Sequence, residues 1–443
     1  MTDGKTDSLV SIAREARVAG RSLAALPVAR RNMILLAFAD AIVKDRTKII
    51  SANEQDCDTV EVEVEAGRMP RAFLDRLLTS ERGIEDMAAK VHAVAALPDP
   101  LGQTIAITTV ANNLTLRKVS CPLGTIGIIF ESRPDVIPQV GALCLKSGNA
   151  VLLKGGKEAT HTNTVLAGIW QHTLADLDLP IAALTLLHTR EDVLAMLQLQ
   201  GLIDLIIPRG SKDFVNYIAQ HSTIPVLGHG EGVCHVYVDK EADLEKGWDI
   251  AFDAKTNYPA ACNAMETLLV HEAIAARFLP EMVDRFHAAG VEVRGCMSTR
   301  VLLDSTSIEE ATENDWTQEY SDLIVAVRVV NSFDEAVAHI DQYGSRHTEA
   351  IVTENRTTAE YFMDVVDAAG VYHNASTRFA DGFRYGLGAE IGISTSKFHA
   401  RGPVGLEGLV TYKYKLVGDG HTVGNAGGKA TGIPMKTSRP DQL

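Results

Sequence analysis

From Pro122 onward the chain repeats one pattern: a short, almost wholly apolar run, a loop, then a segment with helical spacing. The runs are Gly124–Phe130, Asn149–Gly156, Ala183–Leu187 and Leu202–Ile207, with helices expected at 134–146, 160–177 and 192–198. A strand that is apolar on both sides must be covered on both faces, and strands separated by helices run parallel. The pattern therefore predicts a doubly covered parallel sheet, which takes ligands at the carboxyl ends of its strands. A second series follows Gly232, with strands at 233–238, 267–271, 323–330, 349–352 and 370–372 and helices at 243–256, 272–290, 335–343 and 358–368. The expected fold class is α/β with two such domains, which 443 residues accommodate.

The residues before this series read differently. Ser8–Arg17 and Arg31–Val43 carry apolar residues at helical spacings and are separated by Pro27; more helix runs through 60–97, with a break at Gly67 and Pro70. Thr104–Val110 and Leu114–Val119 alternate around Asn112-Asn113, the pattern of a β-hairpin. The residues after Gly418, rich in Gly, Thr and Lys, read as tail or loop. With 42 basic and 57 acidic residues, a net charge of −15 argues against nucleic acid or an anionic membrane as partner. The chain has no apolar run long enough to cross a bilayer and no hydrophobic signal core at its start, so a cytoplasmic protein is expected. Its six scattered cysteines have neither disulfide density nor metal-ligand spacing, and no metal site is expected.

Chemistry concentrates at a few places. Cys262 lies among Ala260, Ala261 and Ala264 just before the apolar run Leu268-Leu269-Val270. Small neighbours leave room for a substrate to approach a thiolate, and Tyr258-Pro259 biases the tyrosine to an extended backbone, so the cysteine is expected on a turn. The other reading of Cys262 is a packed, inert thiol. Neither Gly-x-Gly-x-x-Gly nor a Walker motif is present. Two lesser features stand at strand ends instead. Lys154-Gly155-Gly156-Lys157 sets two ammonium groups where a ribose 2′-phosphate could lie, and Pro208-Arg209-Gly210-Ser211 opens a helix whose free N–H groups could hold a pyrophosphate. Both also suit ordinary solvated loops. Arg133, at a helix start, offers a planar fork to an anionic substrate group or simply faces solvent.

Phe130 to Val136, Asn257 to Glu266 and His399 to Gly408 resemble the γ-glutamyl phosphate reductases, and the order of elements resembles the aldehyde dehydrogenase superfamily to which they belong. The resemblance implies two Rossmann-like α/β domains plus a small β oligomerisation hairpin. It implies Cys262 as the nucleophile, Lys154 and Arg209-Gly210-Ser211 around adenosine and pyrophosphate, and Glu319 on the nicotinamide ribose. Lys157 stands where NAD-preferring relatives often carry a glutamate, which implies NADPH as the cofactor.

Two departures bear on the reaction. Gly228 falls where hydrolytic relatives place a water-activating glutamate, with Glu231 three residues away, and Ser132 falls where the oxyanion-hole asparagine stands. The Cys262 N–H, helped by Ser132 or Asn257, would then hold the oxyanion. The implied activity is NADPH-dependent reduction of γ-glutamyl phosphate to glutamate 5-semialdehyde, in proline biosynthesis. The alternative is a hydrolytic or coenzyme A-acylating aldehyde dehydrogenase. Arg133, Lys397 and Arg401 are the candidates for the substrate's anionic groups.

Expected boundaries are 1–102 and 123–232 for the NADP(H)-binding domain, 233–404 for the catalytic domain, and 103–122 with 405–443 for the oligomerisation elements. A homodimer or homotetramer is expected, with the acyl phosphate supplied by a separate glutamate kinase.

Overall fold

Thr125–Phe130 buries six consecutive residues, so it belongs in the middle of a sheet. In the computed structural model, which describes residues 3–69, 71–228, 230–303, 308–424 and 437–438, the chain divides into two compact units. The first is Met1–Leu227 with Leu387–Gly392 and Val404–Leu443; the second is Gly228–Gly386 with Ile393–Pro403.

The first unit opens with five helices, α1 (Asp3–Ala25), α2 (Val28–Lys44), α3 (Arg46–Glu65), α4 (Arg71–Leu77) and α5 (Glu81–Ala96). The hairpin β1 (Thr104–Ala111) and β2 (Leu114–Pro122) follows, turning through Asn113 at φ 56°. Then come β3 (Thr125–Phe130), α6 (Val136–Lys146), β4 (Ala150–Lys154), α7 (Thr160–Asp176), β5 (Leu184–Leu186), α8 (Arg190–Met196), β6 (Leu205–Arg209) and α9 (Lys212–His221). The four strands after the hairpin form a parallel sheet in the order β5-β4-β3-β6. Leu9, Ala13 and Ala16 of α1 pack on Ile129, Leu152 and Ile206 of that sheet. The helix comes so close that a Cβ on Gly20 would sit 3.2 Å from Ala150.

Polar groups tie the helices together. Arg31 in α2, only 2% exposed, holds both oxygens of Asp99 at 2.9 and 2.7 Å and donates to the Lys146 carbonyl at the end of α6. The Lys146 ammonium, fully buried, donates to the Ala95 carbonyl of α5 at 2.9 Å and to Asn32 at 2.5 Å.

The C-terminal segment is a strand before Gly418, and it departs from the tail or loop expected after Gly418 at Thr437–Ser438. A 3-10 turn at Leu406–Leu409 leads into a strand, Val410–Val417, which pairs antiparallel with β2 from Val410↔Pro122 to Val417↔Thr115. Thr437–Ser438 returns to pair with β1, so the hairpin is the centre of a four-stranded sheet. Residues 425–436 and 439–443, and Pro70 at the expected helix break, lie outside the described residues.

The second unit contains β7 (Cys234–Val238), α10 (Leu244–Thr256), β8 (Met265–His271), α11 (Glu272–Ala288), β9 (Glu292–Gly295), α12 (Met297–Leu303), β10 (Glu309–Glu310), β11 (Ile324–Val330), α13 (Phe333–Tyr343), β12 (Thr348–Val352), α14 (Arg356–Val365) and β13 (Gly370–His373). Its seven strands are parallel in the order β10-β9-β11-β8-β7-β12-β13. Alternation within the strands shows why both faces are covered. Val236, Val238, Leu268 and Val270 pack on Phe278 and Met282 of α11, while Tyr237 and Leu269 pack on Ile340 of α13 and Phe362 of α14. Among the described residues, no helix is long and apolar enough to cross a membrane.

Replacing Arg31 by Ala leaves the Asp99 carboxylate and the Lys146 carbonyl without their shared donor. Denaturant unfolding of Arg31→Ala is expected to show a loss of about 3–5 kcal/mol. Arg31→Lys should recover only part of it, because an ammonium cannot fork between the two acceptors.

Candidate active site

Cys262 is half-buried, in the link between α10 and β8. Helix α10 begins at Asp243, whose carboxylate accepts the Lys246 N–H at 3.0 Å, and ends at Asn257. The extended backbone expected of Tyr258 is not found. It takes φ 62°, with its N–H on the Thr256 carbonyl at 3.0 Å and its own carbonyl accepting the Ala261 N–H at 3.1 Å. A second turn, closed by the Ala264 N–H on the Ala261 carbonyl at 2.9 Å, presents Cys262. Two successive turns outweigh the local preference of a residue before proline.

The ends of this link are clamped from within. Lys255, the penultimate residue of α10, meets Glu266 at the start of β8 at 2.7 Å, and neither side chain is exposed. Burial pushes the Glu266 carboxyl up to about 7, with Lys255 restraining the rise, and pushes the Lys255 ammonium down. The second Glu266 oxygen accepts the Ser321 N–H at 3.3 Å. Glu319, half-buried, is within electrostatic reach of Glu266.

Behind the cysteine runs the segment 232–235. A Cβ on Gly232 would lie 1.8 Å from the Cys262 carbonyl oxygen, so no larger residue fits there. Cys234, buried, donates its S–H to the same carbonyl at 3.4 Å, and burial holds its thiol well above the ordinary range. Ser345 accepts the Val233 N–H at 2.9 Å, and Glu349 accepts both the His235 N–H at 2.7 Å and, at 2.9 Å, its ring Nδ1. Glu231, half-buried, directly precedes the glycine.

A segment not singled out in the sequence closes the other side. Arg378 Nε donates to the Asn257 carbonyl, and Asn263 donates its amide to the Ala380 carbonyl at 2.9 Å. Residues 378–380 thus hold both ends of the Cys262 turn. A buried arginine more than a hundred residues beyond the cysteine gives no local signal of such a role; only the fold brings it there.

Several expected roles are revised. The Asn257 amide donates to Asp253 at 2.9 Å, one helical turn back, and is not turned toward an oxyanion. Ser132, buried and at φ 41°, gives both its N–H and its hydroxyl to one oxygen of Glu158, at 2.7 and 2.8 Å. That hydroxyl proton is already committed. Lys397 and Arg401 converge on Asp367 at 2.7 and 2.9 Å and hold its carboxyl below the usual carboxylate range. They neutralise a carboxylate of their own unit. Arg133 is exposed in the first unit, in the turn before α6.

The expected nucleotide residues lie at the ends of β4 and β6. Lys154 donates to the neighbouring Gly155 carbonyl at 2.6 Å, and burial lowers its pKa. Gly155 and Gly156 have a packing reason that the sequence concealed: a Cβ on them would meet Asn163 at 2.1 Å and Glu158 at 1.9 Å. Lys157 is exposed at the start of the following 3-10 turn. Arg209 ends β6, and Gly210 and Ser211 lead into α9, whose first turn is already used as an anion seat. The Glu131 carboxylate accepts the Ser211 N–H, and a Cβ on Gly210 would lie 2.7 Å from it. A carboxylate stands at this helix start with Lys154 within electrostatic reach, the kind of donor set that anionic phosphates also use. Among the described residues, no group of three or more His, Cys, Asp or Glu could hold a metal ion.

The clamp gives a test. Lys255→Met should lower stability by about 3–5 kcal/mol at alkaline pH, because Glu266 is left buried without its cation, and adding Glu266→Leu should recover most of the loss. A carboxyl raised in the folded state costs stability as pH climbs, and losing Lys255 raises Glu266 further, so the Lys255→Met deficit should be largest at alkaline pH and narrow as pH falls toward about 7. Urea titrations across pH measure both.

With this geometry in view, the comparisons with known proteins are direct. The aldehyde dehydrogenase family pattern matches residues 1–301. A gamma-glutamyl phosphate reductase of Haloquadratum walsbyi is 52% identical over 419 residues, covering 94% of this chain and 91% of the relative. Gamma-glutamyl phosphate reductase 1 of Synechocystis is 50% identical over 414 residues, 94% of each. The crystal structure of gamma-glutamyl phosphate reductase from Thermotoga maritima superposes with a TM-score of 0.90 at 41% identity, covering 94% of this chain and 99% of that one. The chain therefore belongs to the aldehyde dehydrogenase family, and within it to the gamma-glutamyl phosphate reductases.

Proposed function

We propose that the protein reduces γ-glutamyl phosphate to glutamate 5-semialdehyde with NADPH, releasing phosphate, through acyl transfer to Cys262. The observation that carries this reading is the Cys262 turn itself. It is fixed from behind by Gly232, at its ends by Lys255–Glu266, and flanked by a buried arginine. The identity of about half the chain with gamma-glutamyl phosphate reductases supplies the acyl donor.

In this mechanism the Cys262 thiolate attacks the γ-carbonyl carbon. The C–O bond to phosphate breaks, phosphate leaves with the bonding pair, and a γ-glutamyl thioester remains on the sulfur. A bound reduced nicotinamide would supply a hydride to the thioester carbonyl, leaving the thiohemiacetal oxyanion on the sulfur. Breaking the C–S bond then returns the thiolate and frees the aldehyde. Lys154, Lys157 and the turn Arg209-Gly210-Ser211 would hold the cofactor's phosphates, with Lys157 favouring the 2′-phosphate of NADPH, and Glu319 its nicotinamide ribose. Arg133 remains a candidate for an anionic substrate group. A thioester must outlast water, and Gly228, where hydrolytic relatives carry a base, brings no carboxylate.

The same reading places the enzyme in the cytoplasm and in proline biosynthesis, fed by a glutamate kinase. It also assigns assembly of a homodimer or homotetramer to the sheet edge at Val410–Val417. There Tyr412, Tyr414, Leu416 and Val417 are exposed along a strand paired on one side by β2.

Run in reverse, NADP⁺ reduction with glutamate 5-semialdehyde should require inorganic phosphate. Omitting it is expected to slow turnover by about 10² or more, the size of a missing general base. Equal rates with and without phosphate would favour the hydrolytic alternative, and a requirement for coenzyme A the acylating one. Cys262→Ser should lose turnover by on the order of 10³ or more while NADPH binding, followed by fluorescence titration, stays unchanged. Turnover retained in that variant would remove the sulfur from the mechanism.

A further inference from the structure

The reaction assigned to Cys262 needs a thiolate at neutral pH and brings a multiply charged acyl phosphate toward it. Two like charges repel, so a cation must stand beside the sulfur. Of the cations expected from the sequence, Lys397 and Arg401 are paired with Asp367; Lys255, beside the turn, is paired with Glu266.

Arg378 meets the requirement. It lies in a 3-10 turn, Thr377–Phe379, capped by the Ser376 hydroxyl on the Arg378 N–H at 3.3 Å. Its Nε donates to the Asn257 carbonyl before the cysteine, and the Ala380 carbonyl two residues on accepts the amide of Asn263 just after it. The side chain is only 8% exposed. The same place holds polar atoms whose capacity is unmet among the described residues: the Asn263 carbonyl oxygen and the Thr377 hydroxyl, both buried. Buried polar atoms next to a nucleophile and its arginine are what a polar acyl donor would satisfy.

We propose that Arg378 is the cation that keeps Cys262 ionised and draws a negatively charged acyl donor to it. The proposal rests on the reading of Cys262 as the acyl acceptor. Its electrostatic surroundings are mixed. Burial and Arg384, which donates to the Arg378 carbonyl at 2.6 Å, work against the charge on Arg378, while Cys262, Asp381 and Asp253 of α10 support it. On the other side Cys234 of β7 faces Cys262 as a neutral thiol. Arg378 is thus within electrostatic reach of the sulfur, and its removal should raise the pH at which the thiolate forms.

Alkylation of the full-length enzyme, without cofactor or substrate, tests this apart from turnover. The Cys262 peptide is followed by mass spectrometry during reaction with iodoacetamide, which is neutral, and iodoacetate, which carries the donor's charge. Relative to free cysteine, wild-type Cys262 should favour iodoacetate. Arg378→Met should lower that preference about tenfold and raise the pH midpoint of iodoacetamide labelling by about one unit. Arg378→Lys, which keeps the charge but not the fork, should stay near the wild-type midpoint. Should the Met variant fail to fold, inorganic phosphate should still protect the wild type against iodoacetamide, and less so Arg378→Lys.

A folded Arg378→Met variant with unchanged preference and midpoint would overturn the proposal. So would equal effects of Met and Lys, which mark a structural role, or absence of phosphate protection where the Met variant cannot be made. Because no turnover enters these readouts, a wrong assignment of the overall reaction would show in the phosphate requirement and not here.

Discussion

The buried pair Lys255–Glu266 is the constraint on which the presentation of Cys262 depends. The residues between them form a short link with no regular structure, and such a link is ordinarily free to vary. An ion pair with no exposed surface on either member fixes where the link starts and stops. Burying two charges is costly, and a well-packed apolar pair would often serve stability as well or better. The value of the pair lies in directionality: hydrophobic contact between helix and strand would tolerate sliding, while a 2.7 Å contact does not. Gly232 and residues 378–380 add restraint from two further directions, so the nucleophile is set by the fold and not by its neighbours in sequence.

The first unit shows the complementary device. Glu131 and Glu158 each bind backbone N–H groups at the places where the chain was expected to receive phosphate or help an oxyanion. Protein carboxylates thereby occupy donors that would otherwise be left to solvent. On the proposed reading, a dinucleotide at the start of α9 would compete with Glu131, and its affinity would reflect a difference between two anions. Lys154 is in a similar position, its ammonium resting on its own neighbouring carbonyl.

Much of the architecture was legible in the sequence because parallel strands covered on both faces leave an unbroken apolar record, as Thr125–Phe130 and Met265–His271 do. The hairpin was legible from alternation and its asparagine turn. What the sequence concealed was of two kinds. Backbone choices imposed by tertiary contacts, such as φ 62° at Tyr258, override local preference. Partnerships between distant polar residues leave no periodic trace: the pairing of Lys397 and Arg401 with Asp367, of Ser132 with Glu158, and of Arg378 with the Cys262 turn. Charge and residue type nominate candidates, but only the fold decides which of them are already taken.

The contact between Gly232 and the Cys262 carbonyl has a consequence for altering substrate preference. No side chain can be introduced behind the sulfur to push it forward or tilt it, since even a methyl group would overlap the peptide. Laboratory selection for larger or differently charged acyl groups must therefore work from the open side of the turn, through residues such as Tyr258, Ala260 and Ala261.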